Sequence, residues 1–183
     1  MAELWRHQLH AWVEFYLIVG GAAAALTGLM FVVVSVGLHV VTERGAPARR
    51  AFVTPVLVYF VCALLISACM TMPAMTPGAL ASLLLLGGIG GLAYVVWIRV
   101  YPLWRSAKLG HDDLIWYIAL PIVGFLALVL AAVTVSLHIH YSLEIVALAA
   151  VIFLVTGIRN SWDLILWMAQ QPKDGKPSPD DAK

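Results

Sequence analysis

The chain has 183 residues, of which 62% are hydrophobic and 11% charged, against about 45–50% and about 25% in soluble domains. A water-soluble domain of this length leaves too much surface exposed to hide such an apolar excess, and a net charge of +1 supplies no basic field for nucleic acid. The expected solvent is lipid, where backbone polar groups pair within helices or a closed barrel; the apolar runs are too long and unalternating for barrel strands of about ten residues, so the expected class is an all-α polytopic bundle.

Residues 1–14 predict a short amphipathic helix at the membrane surface. Leu4, Trp5, Leu9, Trp12, Val13 and Tyr16 recur at helical spacing, opposite Glu3, His7, His10 and Glu14, and tryptophan suits the headgroup layer. The mixture of acids and histidines does not fit a secretory leader, which needs a basic segment and then a short, purely apolar one.

Phe15–Thr42 contains no Lys, Arg, Asp or Glu. It predicts a first span at about 15–41, long enough at about 1.5 Å per residue to cross about 30 Å. The next charge-free stretch, Ala51–Ile98, is too long for one crossing. Pro73, Pro77 and Gly78 divide it into spans at about 51–71 and 79–101. Cys62 and Cys69 lie seven apart on the first of these, about two turns, too far for a mutual disulfide. A fourth span is expected at about 114–137, with Pro121 placed to kink it, and a fifth at 142–168. These make a transmembrane domain over 15–169. Residues 170–183, rich in Pro, Gly and charge, read as a disordered tail.

Orientation follows from the basic residues. Arg44, Arg49 and Arg50, then Arg99, Arg105 and Lys108, then Arg159, Lys173, Lys176 and Lys183 alternate to one side, ten of the eleven, and only Arg6 falls on the other. The positive-inside rule then puts the N-terminus out and the C-terminus in the cytoplasm.

Three sets of residues are candidates for function. Small residues recur every four positions at Gly20, Ala24 and Gly28 and again at Gly87 and Gly91, which lets helix backbones approach closely in lipid. They serve packing within one bundle or an interface between copies. In the last span Arg159, Asn160 and Asp163 interrupt apolar sequence. Charges inside a membrane are costly and mark pathways or polar clamps; at i,i+4, Arg159 and Asp163 can pair, or Arg159 can reach the headgroups. The third set is a potential copper or zinc site on the outer side: His7, His10, Glu14, His138, His140, Glu144, Met70, Met72 and Met75. Imidazole suits both metals and thioether selects Cu(I), but no spacing matches a closed zinc motif.

The first span reads Trp12-Val-Glu14-Phe15-Tyr16, then Ala22-Ala-Ala-Ala-Leu-Thr27-Gly28-Leu-Met-Phe31-Val, then Ser35. It resembles the opening of a large group of uncharacterised bacterial membrane proteins of four or five spans, some labelled modulators of a membrane protease. The resemblance covers about the first fifth of the chain and implies a multi-pass protein of the bacterial inner membrane.

No GxSxG, phosphate loop, HExxH or CxxC occurs, so no catalytic activity is expected. Two functions stay open. One is a structural or accessory membrane component whose partners are the bilayer and either further copies or a larger complex. The other is a small ion or proton channel or transporter built on Arg159, Asn160 and Asp163.

Overall fold

A computed structural model describes residues 2–36, 54–97 and 115–169. The described residues are all-helical and contain no strand. Helix α1 spans Ala2–Ala11, α2 Val13–Val36, α3 Thr54–Thr71 and α4 Pro77–Val95. A π-helical turn, Ile115–Ala119, leads into α5, Leu120–Ser136, and α6 covers Ser142–Ala169. Four stretches are long and apolar enough to cross a membrane: α2, α4, the π-turn with α5, and Ser142–Leu166 of α6. Helix α3 is apolar but shorter, and the residues before it lie outside the described set, as do the expected span ends at 37–41, 51–53 and 98–101, the residue at 114, and the tail 170–183. The same holds for every basic residue used for orientation except Arg6 and Arg159.

Local chemistry explains where the helices start. The third span begins at Pro77, two residues before the breaker-based boundary. Thr76 is its N-cap, with the Ala79 amide donating to Thr76 Oγ1 at 3.2 Å, and proline fits the first turn because its missing N–H would have no helical partner there. Pro121 acts differently. Inside a helix its ring clashes with the carbonyl four residues back, that of Tyr117. The chain answers with the wider π-helical turn at Ile115–Ala119, a common way to absorb such a defect. The irregularity at Pro121 thus takes the form of a π-helical turn just before it.

Helix α5 ends on a residue that sequence rules would not choose. His138 has φ 56°, the left-handed region where glycine is favoured. Its amide donates to the Val135 carbonyl at 3.1 Å, and the Ile139 amide donates to the Thr134 carbonyl at 2.9 Å. These two bonds close the helix end in the Schellman pattern.

The packing order is α4, α5, α6, α3, α2, with α6 also touching α2. Helices α3 and α4 are joined by a short turn yet contact each other little, because α4 lies against α5. Helix α6 is the most enclosed span and α2 the least, with 50% and 22% of their apolar windows buried. Aromatic rings fill the interior. Phe125 and Phe153 sit 4.7 Å apart between centroids, and Tyr59 stacks on Phe153 at 6.4 Å. Three phenylalanine rings lie over a glycine of another helix: Phe125 over Gly91, Phe153 over Gly124 and Phe60 over Gly157. The outside is apolar as well. Ile18 and Leu86 are 73% and 72% exposed, among many such residues, an extent that a soluble monomer does not show. The bundle is built for an apolar solvent.

Helix α1 caps one end. Leu9 is buried in the core, and the Trp5 indole Nε1 donates to the Met75 carbonyl at 2.9 Å. Trp5→Phe is expected to loosen α1, costing about 1 kcal/mol, read as faster hydrogen exchange confined to residues 2–11.

Candidate functional site

At the end away from α1, the late turns of α6 meet the π-helical turn. Arg159 and Asp163 form an ion pair along one face of α6. The Tyr117 hydroxyl donates to Asp163 Oδ2 at 2.9 Å, and the Arg159 guanidinium lies 5.8 Å from the centroid of the Trp116 ring. The widened turn therefore delivers two aromatic side chains to the charged pair, one donating to the anion and the other offering its π face to the cation. The side chains of Arg159 and Asp163 keep 41% and 25% exposure. The pair thus sits on the flank of the bundle, with each charge balanced locally.

Asn160 belongs to a different face. It is buried, at 3% exposure, on the line Phe153, Gly157, Asn160, Leu164 that α6 turns inward. Neither its Nδ2 nor its Oδ1 has a hydrogen-bond partner among the described residues. A buried amide without partners costs about 1–3 kcal/mol. Asn160→Leu keeps the branched heavy-atom shape without a polar group and is expected to raise the unfolding free energy in detergent by up to that amount, less what its bulkier methyls cost in packing. A loss larger than that of Asn160→Ala would mean that the amide is satisfied.

The small-residue candidates separate. A Cβ on Gly20 would meet Ser67 Cβ at 2.9 Å, and one on Gly91 would meet the Phe125 ring at 2.0 Å, so these two serve helix contacts inside the bundle. Ala24, Gly28 and Gly87 are exposed. Nothing lies within 4 Å of the Gly28 position, and only Leu128 reaches 4.0 Å at Gly87. Ala24 and Gly28 are thus not packing positions of this bundle, because α2 turns Tyr16, Val19, Gly20, Ala23 and Met30 inward instead. Gly88, Gly124 and Gly157 stand outside the two small-residue repeats. All three are buried, and a Cβ at any of them would meet a neighbour at 2.9 Å or less. No four-residue repeat marks them; their signal is the bulky ring or branched residue of another helix.

The outer candidates do not form one ligand set. His7, His10, Glu14, His138, His140, Glu144 and Met72 are exposed, whereas Met70 and Met75 are buried. No group of three or more His, Cys, Asp or Glu side chains that could hold a metal occurs among the described residues. Cys62 and Cys69 are both free. What these segments do form is a pocket of about 720 Å³ beneath α1, which His138, His140 and Met75 line together with Trp5 and Arg6, while His7, His10, Glu14, Glu144, Met70 and Met72 do not.

No protein-family model, curated protein or solved structure matches this chain.

Proposed function

We propose that this chain is a structural or accessory component of a membrane, an integral bundle without catalytic activity. The observation that carries this reading is the closed state of the charged pair. Arg159 and Asp163 satisfy each other, with Tyr117 and Trp116 beside them, while Phe60, Phe125 and Phe153 fill the interior. A conduit would instead turn its charges toward a hydrated passage. In this reading α3 is a fifth crossing, the α1 end lies outside and the C-terminus inside, and the first-span resemblance supports the inner membrane of a bacterium. Helix α2 is the lateral contact surface. Its outward face carries Gly21, Ala24, Ala25 and Gly28, small residues that let another helix come close, and the partner we favour is a second copy.

The deciding experiment is flux. Protein reconstituted in liposomes is expected to pass protons and potassium no faster than protein-free liposomes. A proton flux abolished by Asp163→Asn would replace this reading with a channel or transporter. Lateral association is read separately: Gly28→Leu is expected to shift the detergent-solubilised protein from oligomer to monomer without changing its thermal stability.

A further inference from the structure

The pocket beneath α1 is built from three separate stretches of chain: the first turns of α1, the turn between α3 and α4, and the turn between α5 and α6. Its volume of about 720 Å³ falls in the range of small-molecule sites. Leu4, Trp5, Val135 and Ile139 give it an apolar wall, and Arg6, His138 and His140 bring the ionisable groups. None of the lining side chains is acidic. Arg6 is a permanent cation with a planar fork of donors that matches phosphate. His138 donates from Nδ1 to the Ser136 carbonyl, 3.2 Å away, since a carbonyl can only accept; in the neutral ring Nε2 is then an acceptor, suited to a ligand hydroxyl. The residue also holds a left-handed conformation that glycine would adopt without strain.

We propose that this pocket binds one net-anionic phospholipid with a hydroxyl-bearing headgroup from the leaflet at the α1 end, its phosphate against Arg6, its headgroup hydroxyls toward the histidines and the head of its acyl chain along the apolar wall. Charge complementarity selects this occupant: the lining carries one permanent cation, Arg6, and no anionic group, and the apolar wall reaches the exposed Leu4 and Ile139. The proposal rests on the membrane location alone, not on lateral association or on the absence of flux.

The test uses the full chain in neutral detergent, titrated with phosphatidylglycerol or phosphatidylcholine, with bound lipid read by native mass spectrometry. One phosphatidylglycerol is expected to bind at least about tenfold more tightly than phosphatidylcholine. Loss of one charge-assisted hydrogen bond in Arg6→Gln should weaken it about tenfold and remove the preference. Arg6 is exposed, so this variant leaves the core intact. His138→Gly relieves the backbone and should fold at least as well, yet bind phosphatidylglycerol more weakly. Glycerol 3-phosphate separates the sources of phosphate: failure to compete at millimolar concentration supports a lipid, and full competition overturns it in favour of a free phosphate ester. Equal binding of the two lipids, or unchanged binding in both variants, would also overturn the proposal.

Discussion

Gly88→Leu is expected to detach α4 from α5. A Cβ at this position would lie 2.7 Å from Val129 Cγ2 and 3.1 Å from both the Phe125 carbonyl oxygen and the Val129 amide nitrogen. Two of those atoms are backbone, so no rotamer change relieves the clash; α5 itself must move. Overpacking typically costs about 1–3 kcal/mol, and a whole isobutyl group against main chain should reach or pass the upper end. The neighbouring Gly87→Leu is the control, because a Cβ there meets only Leu128 Cδ1 at 4.0 Å; it should be close to neutral. A companion cycle tests the ring-over-glycine contact. Gly91→Ala and Phe125→Ala are each expected to destabilise, and the double variant should lose less than their sum, because the truncated ring vacates the space that the new methyl needs. Thermal unfolding followed by size-exclusion chromatography reads both sets. Equal midpoints for the Gly87 and Gly88 variants would mean that the two helices are not in contact.

Asp163→Ala is expected to destabilise the protein by about 2 kcal/mol, more than either Tyr117→Phe or Arg159→Gln. It removes the acceptor of two charge-assisted hydrogen bonds at once, from Arg159 and from Tyr117, and leaves the guanidinium without its partner. Breaking a fully buried pair costs about 3–5 kcal/mol; with 41% and 25% side-chain exposure here, a smaller figure applies. The double variant Arg159→Gln with Asp163→Asn should recover much of the loss, since it leaves no orphaned charge. Denaturant unfolding in detergent checks the order of the effects. A double variant as unstable as Asp163→Ala would show that the ion pair contributes in its own right.

Particular residues show why parts of this fold were legible in sequence. The absence of charge from Phe15 to Thr42 and from Ala51 to Ile98 points to a membrane, and four of the described helical stretches are long and apolar enough to cross one. Pairing of Arg159 with Asp163 follows from i,i+4 spacing on any helix. Asn160, one residue on, looks like part of the same group in sequence, yet each residue turns about 100° around the axis, and that turn carries its amide into the core. Sequence proximity cannot express that difference.

Composition by itself determined the helical class and the apolar character of the long helices, because those depend on local hydropathy, while a breaker such as Pro77 marks a helix start. Which face of each helix turns inward was decided only by tertiary structure. In a lipid-facing helix the inner and outer faces are both apolar, and the hydrophobic pattern that orients a soluble helix is missing. Shape decides instead: Gly88 and Gly157 are inside because Val129 and Phe60 need their space, while Gly28 has no such neighbour. Tertiary structure alone also brought Arg6, Met75 and His138 to one pocket, since more than sixty residues of chain separate each from the next.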